Sequence, residues 1–288
     1  MFEEYDIVCV LGPTASGKTR YAVDLARRMG AEILSADSRQ VYRGMDIGTG
    51  KDLDEYGDVP YHLIDIVDAG TKYDIYQYQR DFERAYRGII QRGKRAIICG
   101  GSGLYIEAAC CGYSLPDVPA DPALRAELEK YDDETLIARL ASLKTLHNHT
   151  DYDTRRRLIR ALEIAIWEST HPVERSEYLP KKTKFIGISV SRDERRERID
   201  RRLDERLAAG MTDEVKRLLD SGIAPEDLIY YGLEYKFVTR YLIGELTYEE
   251  MKSGLKTAIH QFAKRQMTWF RGMERRGIEI EWVDPIRS

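Results

Sequence analysis

Apolar residues along this chain fall into a few short unbroken runs separated by stretches of helical spacing. Ile7-Val8-Cys9-Val10-Leu11 is one run; "AEILSAD", ending at Asp37, "RAIICGG", ending at Gly100-Gly101, and "KFIGISV", Lys184 to Val190, are others. Runs that do not alternate with polar residues predict strands buried on both faces, and the helix-patterned segments between them, such as "RYAVDLARRMG", predict crossovers of a parallel sheet. Ligands of such sheets gather at the carboxyl ends of the strands. Gly12 to Thr19, Asp37 and Gly101-Ser102 are therefore expected to converge.

Between the third and fourth runs the pattern changes. The segment from about residue 116 to 180 is charged and helix-patterned, carries Pro116, Pro119, Pro122, Pro172 and Pro180 near its edges, and holds no convincing strand. This predicts three parts: residues 1–115 as the first part of a core, 116–180 as a helical insert, and 181–288 as the mostly helical second part of the core. A short last strand is expected at "IEIEWVD".

Composition narrows the class. With 288 residues, 43% hydrophobic and 33% charged, the chain suits a soluble globular protein, and no apolar stretch approaches the ~20 residues of a membrane span. The acidic start "MFEEYD" is unlike a signal peptide, so a cytoplasmic protein is expected. Cys9 and Cys99 lie in strand-like runs and Cys110-Cys111 lack a C-x-x-C partner, which predicts buried thiols, with neither disulfides nor zinc. "HNH", His147 to His149, reads as a solvated loop. Net charge is −4, yet "RRRLIR" and "AKRQMTWFRGMERR" are locally basic, so phosphate contacts are expected to be local.

"GPTASGKT", Gly12 to Thr19, fits G-x-x-x-x-G-K-[ST] with a strand before it and a helix after it. In this phosphate-binding loop (P-loop), backbone N–H groups cradle phosphate oxygens, Lys18 neutralises charge and Thr19 ligates Mg²⁺. The fold class is then α/β, a P-loop-containing parallel sheet flanked by helices with a smaller all-helical insert. Asp37 sits at the second strand's tip, facing the loop. It reads as an activator of an attacking hydroxyl, as an acid that organises Mg²⁺, or as a cap of the next turn. Asp65 is a second candidate for an acid that organises Mg²⁺.

"GPTASGKT", "SADSRQVYRGMDIGTGK", "GGSGLYI", "RRRLIRALEI", "RRLDERLAAGMTDEVKRLL" and "AKRQMTWFR", in this order over nearly the whole chain, resemble the tRNA dimethylallyltransferase (tRNA isopentenyltransferase) family of bacterial type. The resemblance implies that the loop holds the diphosphate of dimethylallyl diphosphate, with Mg²⁺ as cofactor. The dimethylallyl group then passes to the N6 amine of the adenosine immediately 3′ of a tRNA anticodon. It implies diphosphate contacts from Gly12, Pro13, Thr14, Ala15, Ser16, Gly17, Lys18, Thr19 and Arg198, and a metal ligand in Thr19. Catalytic roles fall to Asp37 as general base and to Lys18, Ser102 and Arg198. tRNA contacts fall to Ser38, Arg39, Gln40, Arg156, Arg157 and Arg160, with the insert gripping the anticodon stem. A monomer with no membrane contact is expected. Arg198 alternatively reads as a helix-surface partner of Glu194, and Trp269 and Phe270 as core or as contact.

The chain departs from the family where Leu233-Glu234-Tyr235-Lys236 replaces a G-Y-K pattern, placing an acid near expected RNA; the insert is also short. Two other readings remain open, a small-molecule P-loop kinase and a dimethylallyltransferase acting on free AMP or ADP.

Overall fold

The computed structural model describes residues 2–111, 118–144, 154–171 and 180–284. Residues 147–149, Pro116 and Pro172 lie outside them. The chain divides into two units, one of residues 1–113 with 179–288 and one of residues 114–178.

The larger unit is built on six parallel strands. In chain order they are β1 (Ile7–Leu11), β2 (Ala31–Ala36), β4 (Tyr61–His62), β6 (Arg95–Gly100), β7 (Thr183–Ile188) and β8 (Ile280–Val283), arranged β4-β2-β6-β1-β7-β8. Two-residue strands β3 (Tyr42–Arg43) and β5 (Val67–Asp68) form a separate parallel pair. The apolar runs are strands for the reason their pattern gives: β1 and β2 are buried at every position, because both faces are covered. On one face Val8, Val10, Ile33, Ile97 and Ile186 pack on Ala22, Val23, Leu25 and Ala26 of α1 (Lys18–Met29). On the other, Cys9, Leu11, Leu34 and Ile98 join the helices α2 (Ile75–Gln91), α3 (Gly103–Cys110) and the C-terminal helices described below.

Register decides where the site lies. Leu11 pairs with Gly100, and Gly100 with Ala36. The residues that follow, Gly12, Gly101 and Asp37, therefore emerge side by side at the carboxyl edge of the three central strands. Beyond β7 run α7 (Arg192–Ala208), α8 (Met211–Asp220), α9 (Pro225–Tyr231), α10 (Leu233–Leu242) and the 28-residue α11 (Tyr248–Arg275). Thr247 and Glu250 start α11 with a capping box, each side chain bonding the other's backbone N–H.

The described residues of the smaller unit carry three helices, α4 (Pro122–Leu128), α5 (Asp133–Leu143) and α6 (Arg155–Thr170). Asp121, Asp132 and Thr154 cap the three N-termini. Leu128, Leu136, Leu140, Leu158, Ile159 and Leu162 form its own core. Glu163, 1% exposed in its side chain, is held by Arg125, by Arg160 and by the Asp121 N–H.

Candidate active site

The loop Gly12 to Gly17 turns from β1 into α1 through a left-handed Gly17 (φ 86°), a conformation that glycine adopts without the Cβ penalty. This turn aims the first N–H groups of α1 out of the helix, where an anion would complete them. Not every loop amide is available. Pro13 has no N–H, the Thr14 N–H donates to Gln266 Oε1 at 2.8 Å, and the Ser16 N–H to the Pro13 carbonyl at 3.3 Å. Of the loop expected to cradle phosphate from Gly12 to Thr19, the Thr14 and Ser16 amides are thus already engaged and Pro13 has none to offer. Burial lowers the Lys18 ammonium below the usual lysine range, partly offset by Cys99 and Asp37, and Arg202 and Arg206 lower it further. The neighbouring Cys99 thiol is pushed up to about 11 by burial, with Lys18 and the Thr19 hydroxyl acting against that rise.

Asp37 and Ser102 stand beside the loop on the same cleft. Asp37 Oδ1 accepts the Arg39 N–H at 2.9 Å, so the capping role is present, and the carboxylate still has a second oxygen for other work. Ser102 Oγ accepts the Ser38 N–H at 3.1 Å and thus ties α3's start to the segment after β2. Gln40 is held at both ends of its amide: Oε1 accepts from Ser35 Oγ, and Nε2 donates to the Gly50 carbonyl. The Arg39 guanidinium lies over the Tyr231 ring, 5.8 Å from its centroid.

One wall of the cleft is α7. Arg198, Arg202 and Arg206, spaced four residues apart, lie on one face of it and all line the cleft. Each meets an acid: Arg198 meets Glu194 at 2.5 Å, Arg202 meets Asp52 at 2.5 Å, and Arg206 meets Glu234 at 3.7 Å. Arg198 therefore forms the alternative ion pair, yet it also approaches the loop, since a Cβ on Gly17 would lie 3.8 Å from its Nη1. The sequence reading named Arg198 and missed Arg202 and Arg206, although their i, i+4, i+8 spacing was a usable signal.

The loop 46–52 also lines the cleft, in contact with Arg202 and Arg206 of α7. Glu214, 3% exposed, accepts the N–H groups of Asp46, Ile47 and Gly48 and the Tyr235 hydroxyl. The buried Lys51 ammonium donates to the Tyr42 carbonyl, to Asp46 and to Asp65. Asp65 is thus engaged by Lys51 and is not among the residues that line the cleft. Glu234 lines the cleft and faces Arg206 there, its side chain 13% exposed. Trp269 and Phe270 also resolve: Phe270 is fully buried, and the Trp269 indole packs on Gly103 and donates to Glu107 Oε2.

In the smaller unit Arg156 and Arg157 are exposed on α6. Arg160 bonds Glu163 and the Val118 carbonyl while its side chain stays partly exposed, so part of its guanidinium serves the unit's own structure.

The cleft measures about 1420 Å³, more than a small diphosphate needs. Among the described residues no three His, Cys, Asp or Glu side chains gather as a metal centre. A divalent ion here would take Thr19 together with the ligand's own phosphate oxygens and water, which is how Mg²⁺ is usually held at phosphates. Among the described residues, no helix is long and apolar enough to cross a membrane.

Comparison with known proteins agrees with this geometry. The family model described as IPP transferase matches residues 40–273, and that described as isopentenyl transferase matches residues 5–57. The chain is 56% identical over 285 residues to tRNA dimethylallyltransferase 2 of Bacteroides fragilis, covering 98% of this chain and 93% of that protein. It is 57% identical over 286 residues to tRNA dimethylallyltransferase 1 of Parabacteroides distasonis, covering 98% and 93%. Among solved structures it is similar to the tRNA isopentenylpyrophosphate transferase of Bacillus halodurans, at 36% identity and a TM-score of 0.70 over 97% of this chain and 90% of that one. A eukaryotic dimethylallyltransferase acting on tRNA shares the fold, with a TM-score of 0.76 at 24% identity over 97% and 74% of the two chains.

Proposed function

The chain belongs to the IPP transferase family, and we propose that its cleft carries out tRNA dimethylallyl transfer at the N6 amine of the adenosine 3′ of an anticodon. Activity and acceptor class follow from the relatives. The roles of individual residues rest on one observation, the emergence of the P-loop, Asp37 and Ser102 side by side at one sheet edge.

Dimethylallyl diphosphate binds with its phosphates at the first turn of α1, where the amides of Gly17, Lys18 and Thr19 and the Lys18 ammonium neutralise the charge that grows as the C–O bond breaks. A bound Mg²⁺, with Thr19 as its protein ligand, would supply further neutralisation of the departing diphosphate. Arg198 turns from Glu194 to the diphosphate, a guanidinium fork matched to phosphate oxygens. The adenine N6 lone pair attacks the allylic carbon, the bonding electrons leave with diphosphate, and the N6 proton passes to Asp37. An adenine amine is a weak nucleophile because its lone pair is delocalised, so a carboxylate that takes the proton as the bond forms is what the step needs.

The adenosine must leave its stack to reach Asp37. Ser38, Arg39 and Gln40 line the route at the cleft, and Arg156 and Arg157 of the helical unit contact phosphates of the anticodon stem. Incubation of the protein with dimethylallyl diphosphate and tRNA, followed by mass spectrometry of the nucleosides, should find N6-dimethylallyladenosine in anticodon-loop fragments. Modified AMP with tRNA untouched would overturn the acceptor.

A further inference from the structure

Gln266, on α11, is 7% exposed and has both polar atoms of its amide engaged. Its Oε1 accepts the Thr14 N–H of the P-loop at 2.8 Å, and its Nε2 donates to the Gly101 carbonyl at 2.9 Å. One side chain thereby bridges two segments that the sheet brings to the same edge. Gly101 is shaped for the contact, because a Cβ there would lie 2.4 Å from Gln266 Nε2 and 3.1 Å from the Gly12 carbonyl. The next residue, Ser102, donates its N–H to the Ala36 carbonyl and accepts the Ser38 N–H at its hydroxyl. Asp37 lies between those two partners. A continuous line of hydrogen bonds therefore runs from the P-loop through Gln266 and Gly101-Ser102 to the flanks of Asp37.

The helix that carries Gln266 is itself anchored. One turn further on, Trp269 packs against Gly103 and bonds Glu107, and Phe270 fills the core with an edge-to-face contact to Trp282. A rigid helix whose Gln266 amide bonds two loops sets the distance between those loops.

We infer that Gln266 is a positioning residue: it fixes the loop that holds the leaving diphosphate relative to the segment that carries the general base. The inference rests on the proposed roles of the P-loop and Asp37. Gln266 touches neither substrate in this scheme. The first turn of α1, where the diphosphate is proposed to bind, makes no hydrogen bond to Gln266; the bond goes to Thr14, in the loop before it. What Gln266 adds is the register between the donor's reacting carbon and the proton acceptor, and a misplacement of about 1 Å costs on the order of a hundredfold in rate.

The test uses Gln266→Leu, nearly the same shape without either hydrogen bond, and Gln266→Glu, which keeps an acceptor for the Thr14 N–H but loses the donor to Gly101. Single-turnover transfer to tRNA, donor dissociation constants and tRNA dissociation constants are measured for both variants and the parent, the parent's own transfer establishing separately that the proposed reaction holds. The expected result is a single-turnover rate down about tenfold or more in both variants, with both dissociation constants within about twofold of the parent. The Glu variant carries the test if the Leu variant does not fold. Rates within twofold of the parent would overturn the inference. So would a donor dissociation constant that rises in step with the fall in rate, which would place Gln266 in diphosphate binding.

Discussion

Arg206 and Glu234, 3.7 Å apart on α7 and α10, form a nearly enclosed ion pair, their side chains 14% and 13% exposed. Burial raises the Glu234 carboxyl above the usual range, and Arg206 acts against that rise; Arg206 also donates to the Gly48 carbonyl. The acid at this departure from the family pattern is therefore a structural partner of an arginine in the cleft wall. Removing one member strands the other. Glu234→Ala should cost about 3 kcal/mol in denaturant unfolding, and the double variant Arg206→Met, Glu234→Leu should recover most of it. Equal losses that add in the double variant would show that the two do not act as a pair.

Arg198 makes one contact and is assigned another. Its pair with Glu194 is partly exposed and so of small energetic weight, whereas a diphosphate offers more charge and a matching geometry. Arg198→Ala should raise the donor dissociation constant about tenfold or more and leave tRNA affinity within about twofold. Glu194→Ala should leave donor affinity level or improve it. Unchanged donor binding in Arg198→Ala would reduce Arg198 to the ion pair.

The arginines of α6 should separate into two kinds. Arg156→Ala and Arg157→Ala should each weaken tRNA binding and flatten its salt dependence by roughly one unit of slope for each phosphate left without its arginine. Arg160→Ala should act on stability, because Glu163 would lose a partner while remaining buried. Burial by itself would raise the Glu163 carboxyl, but the Arg125 hydrogen bond, the Asp121 N–H and Arg160 hold it at about 2. A depressed carboxyl contributes stability that is full above the ordinary range and lost as pH falls toward about 2. The acid limb of unfolding should therefore weaken in Glu163→Gln, as followed by circular dichroism between pH 5 and about 2.

Lys18 sets a pH limit on donor capture. With its ammonium lowered by burial, it loses its proton at a lower pH than an ordinary lysine, and the attraction for diphosphate goes with it. kcat/KM for the donor should fall on the alkaline side below the ordinary value of 10.5. In Lys18→Arg, which keeps its charge at all working pH values, that limb should move upward or vanish, whatever the loss in absolute rate. The same limb at the same pH in the arginine variant would assign it to another group.

Much of this was legible in the chain itself, for reasons particular residues make plain. β1, β2, β6 and β7 are buried on both faces, so their unbroken apolar runs mark them, and the Gly17-Lys18-Thr19 turn is set by neighbours in sequence. The two-residue strands β3, β4 and β5 were not legible, since two residues have no period. Nor was the wall of the cleft. Gln266 lies 252 residues from Thr14, and Glu214 lies 166 residues from Gly48, so their hydrogen bonds depend on how helices return to the sheet. Arg160 is a further case: its basic run marked it as a phosphate contact, while its ion pair with Glu163 depends on that acid being buried by the fold.

The assignment of Asp37 as the base bears most on the mechanism, and single-turnover kinetics of Asp37→Asn test it most directly. Asparagine keeps the shape, and its side-chain oxygen still accepts the Arg39 N–H, but it cannot take a proton at neutral pH. With saturating donor and tRNA, the rate should fall about a hundredfold or more while both dissociation constants stay near those of the parent. A near-normal single-turnover rate would contradict the account, leaving Asp37 as the cap of the turn at Arg39.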